Sequence, residues 1–125
     1  MGAFKPPEWA SAWPAYNAAL RQVIDAVRDA DTQVEIHGIS HRGGVGDQYR
    51  YLELIETQEV LANVERATQE GFDAFVIGSF SEPLLRELRS AVDIPVIGIL
   101  ESSMLVSCSL GKRIAPIANA PEISF

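Results

Sequence analysis

The chain has 125 residues, 47% of them hydrophobic, and a formal net charge of −7. This size and balance predict one globular domain, residues 1–125, with a single hydrophobic core. The acidic excess argues against nucleic acid or an anionic membrane surface as a partner. The apolar runs are shorter than the roughly 20 residues that span a bilayer, and residues 1–7 lack the apolar segment of a secretory signal. With Cys108 as a single cysteine, which cannot form an internal disulfide, we expect a cytoplasmic protein.

Helical and strand patterns alternate along the chain. Apolar residues recur at helical spacing over residues 15–30 and again over residues 52–70, before Gly71 as a C-cap. Period-two alternation over residues 33–39 predicts a half-buried or edge strand. The continuous apolar runs at residues 73–78 and 94–99 predict strands covered on both faces.

The last third of the chain continues this alternation. Pro83 is expected to open a helix that reaches about Val92, with Ser81 as its N-cap. Ser102 or Ser103 is expected to cap a further helix that runs through Leu110. Residues 113–118 are a possible final strand, although a proline within them restricts that strand to a sheet edge.

Strands that alternate with helices predict an α/β fold with a mostly parallel sheet and flanking helices. In such sheets, ligands bind beyond the carboxyl ends of the strands. Three segments are expected there, namely residues 78–82, 100–103 and 118–120.

Three sequence runs in this region carry a family resemblance: GFDAFVIGSFSEP (residues 71–83), VDIPVIGI (92–99) and LGKRI (110–114). They resemble the first half of the aspartate/glutamate/hydantoin racemase superfamily, particularly its hydantoin racemase-like branch. The similarity extends over about residues 30–120. It implies a flavodoxin-like half of a two-domain fold, and a chain that is truncated relative to the family.

The resemblance also implies a chemistry. In this family two halves face each other across a cleft, and one cysteine from each half flanks the acidic carbon of the substrate, without a cofactor. One thiolate removes the proton and the opposite thiol delivers another. Ser79 stands at the position of the first cysteine, and a serine hydroxyl is too weakly acidic to replace a thiolate without an activating partner. Phe80, Ser102, Ser103 and Asn119 would line a pocket for a small carboxylate or a hydantoin-like ligand.

Simpler interpretations of these residues remain open. Ser79 is also an ordinary turn residue, and helix capping explains Ser102 and Ser103. Asn119 is equally suited to a turn before a proline. Beside Ser81, Glu82 is expected to complement the dipole of the helix that follows it.

Three other features suggest chemistry but have structural explanations. Residues 41–46 are glycine-rich, yet they lack a dinucleotide fingerprint and a Walker lysine, which favours a flexible connection over a phosphate loop. His37 and His41 have no further ligand at metal-binding spacing, so we expect no metal site. Cys108 falls on the apolar face of a predicted helix with Met104 and Leu105, which predicts a small buried side chain that reacts slowly.

Two functional hypotheses follow. The first is a cofactor-independent racemase or isomerase that acts at a carbon beside a carboxylate or amide carbonyl. The second is a non-catalytic binding or assembly module of the same family, and the missing cysteine pair favours it for the isolated chain. A flavodoxin-like binder of a small anion or nucleotide is a third, weaker hypothesis. An apolar surface that the family buries between its halves predicts a homo-oligomer.

Overall fold

The computed structural model describes residues 13–39 and 50–116. The chain divides into two compact units, Met1–Gly43 and Gly44–Phe125. The elements, in chain order, are α1 (Trp13–Val27), α2 (Arg50–Glu70), β1 (Phe75–Ile77), α3 (Leu85–Ala91), β2 (Val96–Gly98) and α4 (Ile99–Leu110). The predicted α/β fold with parallel strands is confirmed.

In the first unit, the structure describes α1 and the irregular segment that follows it. Residues 33–39 contain no strand, so the strand predicted there is wrong. A strand needs a neighbour for its backbone groups, and the described part of this unit offers none. Instead, the guanidinium of Arg21 donates a hydrogen bond to the carbonyl of Val34.

In the second unit, α2 ends as its sequence predicts. Gly71 has a positive φ of 82°, a left-handed conformation that glycine adopts at little cost. Its N–H donates to the carbonyl of Thr68 at 3.3 Å, and the N–H of Phe72 donates to the carbonyl of Ala67 at 3.0 Å. These two bonds form a Schellman motif, which satisfies carbonyls at the end of the helix.

The sheet of the second unit consists of β1 and β2, paired in parallel. Its inner face carries Ile77 and Val96, which form the core with Val64 of α2 and Leu88 of α3. Leu88 and Val64 are fully buried, because both helices contribute to the same side of the sheet. Among the described residues, the core therefore lies against this inner face.

The opposite face of the sheet was expected to be covered, but its described residues are partly exposed. Val76 is 55% exposed and its registered neighbour Ile97 is 37% exposed. The prediction of coverage on both faces is wrong, because α2 and α3 both supply residues to the core on the inner side. The strand predicted at residues 113–118 is also not observed over its described part, residues 113–116.

Helices α3 and α4 begin differently from the sequence prediction. The N-cap of α3 is Leu84, not Ser81, and it has no side-chain capping bond. The N-cap of α4 is Gly98, also without one, so Ser102 and Ser103 lie inside the helix. A serine cap needs a hydroxyl at the first half-helical position, and these serines are elsewhere.

Within the described residues, no helix is both long enough and apolar enough to cross a membrane.

Candidate functional site

The two strands end side by side. Ile77 and Gly98 are the last registered pair of the parallel sheet, so the segments that follow them leave the sheet at the same edge. Two of the three expected pocket segments, residues 78–82 and 100–103, thus begin beside each other. Asn119, of the third segment, lies outside the described residues.

Ser79 follows directly beyond this edge. It is half-buried, and its Oγ lies 3.0 Å from the Oγ of Ser81. The carbonyl of Ser79 also accepts a hydrogen bond from the N–H of Glu82 at 3.2 Å, which closes a tight turn. A neighbouring hydroxyl can share a proton with Ser79, but it is no base that could make the serine nucleophilic or thiolate-like. Phe80, 48% exposed, sits between the two serines in the sequence.

The carboxylate of Glu82 binds the start of α4. Its Oε1 accepts a hydrogen bond from the backbone N–H of Glu101 at 2.8 Å. Such N–H groups in the first turn have no partner within the helix and are usually satisfied by an N-cap side chain. Gly98 has no side chain to do this, so Glu82 supplies the acceptor. The negative charge also complements the helix dipole.

Gly98 leaves the room that this contact needs. A Cβ at Gly98 would lie 2.1 Å from Oε1 and 2.4 Å from Cδ of Glu82, which is far closer than atoms approach. The carboxylate of Glu82 therefore lies where any larger residue at position 98 would place its side chain. Glu82 was expected to complement the dipole of α3; its hydrogen bond instead caps α4.

The side chain of Glu101 points to a second partner, Arg89. The guanidinium of Arg89 donates to both carboxylate oxygens of Glu101, with Nη1 at 3.2 Å from Oε1. Its Nε donates to the carbonyl of Val96 at 2.9 Å. The hydrogen bond from Arg89 lowers the pKa of Glu101, and Glu101 in turn raises the pKa of Arg89. The negative charge of Glu101 is thus balanced by the guanidinium of Arg89.

The two serines of α4 differ in their hydrogen bonds. The hydroxyl of Ser103 donates to the carbonyl of Ile99 one turn earlier, and the residue is exposed. Ser102 is half-buried in the first turn. The hydrogen-bond donor of Ser103 is therefore used within its own helix.

Cys108 is exposed, so the prediction of a buried thiol is wrong. The described strands have three residues each and span about 10 Å, whereas α4 has twelve and extends about 18 Å. The helix is therefore longer than the strands, and most residues of its second half are exposed. Cys108 lies about 13 Å along the axis from Ile99, at the end of α4 remote from Ser79.

No group of three or more histidine, cysteine, aspartate or glutamate side chains is arranged to hold a metal ion among the described residues. His37 pairs through Nε2 with Oε2 of Glu35 at 2.9 Å. His41 and the glycine-rich loop, residues 41–46, lie outside the described residues.

Sequence reasoning missed the roles of Arg89 and Gly98. Neither residue stands near Ser79 in the sequence, and no local spacing links Glu82 to Glu101, which is 19 positions away. One signal was available: a helix that starts after glycine, without a capping side chain, needs an acceptor from elsewhere. Because β1 and β2 pair in parallel, the loop after β1 lies beside the start of α4 and can supply this acceptor.

The family of the chain follows from its match to a family model. The Asp/Glu/hydantoin racemase family model matches residues 13–124, and the chain belongs to this family. The predicted resemblance is thereby confirmed.

Three curated relatives are all named hydantoin racemase. The protein from Pseudomonas sp. (strain NS671) is 34% identical over 109 residues, which cover 87% of this chain and 43% of the relative. The Rhizobium meliloti protein is 30% identical over 70 residues, which cover 56% of this chain and 29% of the relative. The Paenarthrobacter aurescens protein is 27% identical over 108 residues, which cover 81% of this chain and 46% of the relative. The chain thus spans less than half the length of these relatives. No solved structure matches the chain.

Proposed function

We propose that this chain forms one face of a cofactor-independent proton-transfer pocket for a small ligand with an acidic carbon beside a carboxylate or amide carbonyl. The observation that carries the proposal is the position of Ser79 at the carboxyl edge of the parallel strands, where ligands bind in α/β folds. The names of the relatives suggest a hydantoin-like ligand.

Inversion at carbon needs an acid and a base on opposite faces of the substrate. Ser79 offers one hydroxyl. Among the described residues, its side-chain partner is the hydroxyl of Ser81. Cys108, the one thiol of the chain, lies toward the far end of α4. We therefore assign Ser79 a role in ligand contact and at most one proton-transfer step, and we expect no racemisation by the isolated chain.

Phe80, Ser102, Ser103 and Asn119 complete the proposed ligand-binding set. Phe80 exposes nearly half of its surface beside Ser79, and an aromatic face suits a planar hydantoin ring. Ser102 can donate a hydrogen bond to a ligand oxygen. We propose no metal in this pocket.

The proposal is tested by ligand binding. Backbone amide shifts are followed while a 5-substituted hydantoin, L-aspartate or L-glutamate is added to the chain. We expect saturable shifts at Ser79, Phe80 and Ser102 for at least one ligand, and loss of saturation in Ser79→Ala. The matched control, Ser109→Ala, alters an exposed serine near the end of α4. Shifts unaffected by Ser79→Ala would overturn the assignment.

A cytoplasmic location and self-association also belong to the proposal. The end of α4 exposes Leu105, Val106 and Leu110, the last at 82%, and exposed apolar groups of this kind favour association. We expect a dimer or larger assembly in sedimentation at roughly tens of micromolar, the range in which weak contacts are populated. A stable monomer at that concentration would contradict it.

A further inference from the structure

The loop between β1 and α3 is held in an unfavourable backbone conformation. Glu82 has φ 46° and Leu84 has φ 58°, and both are non-glycine residues in the left-handed region. Such conformations persist only where surrounding contacts impose them. The loop therefore needs a fixed anchor, and the contacts of Glu82 show where one lies.

Glu82 joins two parts of the site through different atoms. Its N–H donates to the carbonyl of Ser79 at 3.2 Å, and its Oε1 accepts from the N–H of Glu101 at 2.8 Å. The backbone of Glu82 thus closes the turn that carries Ser79, while its side chain fixes that turn to the first turn of α4.

The donor end of this link, Glu101, is itself held in place. Glu101 is bound through its side chain to Arg89, which also donates to the carbonyl of Val96 in β2. Gly98 admits the carboxylate, since a Cβ there would lie 2.1 Å from Oε1. The loop is therefore anchored to a turn that is fixed from two other elements.

We infer that Glu82 is a positioning residue for Ser79: its carboxylate, bound to the start of α4, sets the orientation in which the serine faces the carboxyl edge of the sheet. The inference rests on the proposed function in that Ser79 is the residue positioned. It assigns Glu82 no contact with the ligand.

The test uses a thiol as a reporter of the orientation of position 79. The exposed native thiol is removed by Cys108→Ser, and Ser79→Cys is introduced in that background. Iodoacetamide alkylation of the introduced thiol is then followed against pH, with and without substitution of Glu82. Amide hydrogen exchange at Glu101 reports the capping bond in the same samples.

Glu82→Ala is expected to release the half-buried turn and to raise the alkylation rate by roughly threefold or more, because access limits thiol reactivity. Glu82→Gln retains an oxygen acceptor and should restore the rate of the parent. Glu87→Ala, which removes an exposed carboxylate from α3, should leave it unchanged. Far-UV circular dichroism establishes that each variant is folded.

Two results would overturn the inference. Equal acceleration in Glu82→Gln and Glu82→Ala would show an effect of charge and not of position. Faster exchange at Glu101 in Glu82→Ala with an unchanged alkylation rate would show that Glu82 merely caps α4. If Glu82→Ala does not fold, the Gly98→Ala variant takes its place in the test, because the added Cβ displaces the same carboxylate. None of these readouts needs ligand, so failure of the proposed function leaves them interpretable.

Discussion

Arg89 and Glu101 form a two-point ion pair between α3 and α4, and the same guanidinium donates to the carbonyl of Val96 at 2.9 Å. One side chain thus connects two helices and the second strand of the sheet. Arginine suits this role because its planar fork can donate in several directions at once. The start of α4, against which the loop of Ser79 rests, owes part of its position to this residue.

The ion pair predicts a pH-dependent stability. Arg89 lowers the pKa of Glu101 in the folded chain, so the pair stabilises the fold above the usual glutamate pKa of about 4.3. That contribution is lost as the pH falls through the lowered pKa. Arg89→Ala should reduce the urea midpoint modestly at pH 7, since both side chains are over 40% exposed. The difference from the parent should shrink below pH ~4.

Two comparisons sharpen this prediction. Arg89→Lys keeps the charge but not the fork, so it should recover only part of the loss. Lys112→Ala removes an equal charge from an exposed position and should have little effect. A loss in Arg89→Ala that is equal at pH 7 and pH 3 would mean that the ion pair contributes nothing.

Gly98→Ala should displace the carboxylate of Glu82 and so remove the capping bond of α4, without backbone strain. The φ of Gly98 is −93° and its ψ is 135°, which alanine adopts readily. The added Cβ meets the carboxylate of Glu82, whereas a Cβ at Gly78 meets nothing within 4 Å. Gly98→Ala should therefore speed amide exchange at Glu101 by about tenfold, the effect of about 1.4 kcal/mol on a local opening, and Gly78→Ala should not.

A double-mutant cycle isolates this contact. In a Glu82→Ala background the clash is absent, so Gly98→Ala should cost much less stability than it does in the parent chain. Urea denaturation of the four proteins measures the coupling. Equal costs in both backgrounds would place the constraint on Gly98 somewhere other than Glu82.

Cys108 should react readily in the folded chain. Its thiol is exposed in the second half of α4, so access does not limit reaction in the monomer. At a chain concentration of about 1 μM, below the range in which weak association is populated, alkylation by iodoacetamide at pH 8 should proceed within roughly threefold of the rate in denaturant, because access then limits neither reaction. Strong protection in the native state would show that α4 is covered in solution.

The regular elements were predictable from sequence because they depend on local periodicity. Residues 52–70 and 73–78 lie close to the observed α2 and β1, and Gly71 ends its helix as glycine does. The misassigned features depend on tertiary context. Residues 33–39 alternate like a strand but have no described strand to pair with in their unit. Cys108 lies on an apolar helix, yet the short strands cannot cover its length.

The position of the candidate site at the edge of the sheet was predictable from the sequence. The hydrogen bonds and the ion pair that hold it were not. Parallel topology alone places the turn of Ser79 and the first turn of α4 at one edge of the sheet. The cap provided by Glu82 and the ion pair made by Arg89 join residues 19 and 12 positions apart. Such contacts follow from three-dimensional packing, and helical or strand periodicity carries no information about them.

The central claim is that the chain supplies one face of a proton-transfer pocket and cannot invert a stereocentre alone. It is tested by incubating purified chain, Ser79→Ala and Ser79→Cys with single enantiomers of a 5-substituted hydantoin, aspartate and glutamate in deuterated buffer. Deuterium incorporation is measured by mass spectrometry and optical rotation by polarimetry. We predict no enzyme-proportional loss of rotation for any of the three proteins, with deuterium wash-in, if it occurs, retaining configuration. Racemisation that scales with parent chain and is abolished by Ser79→Ala would contradict the claim.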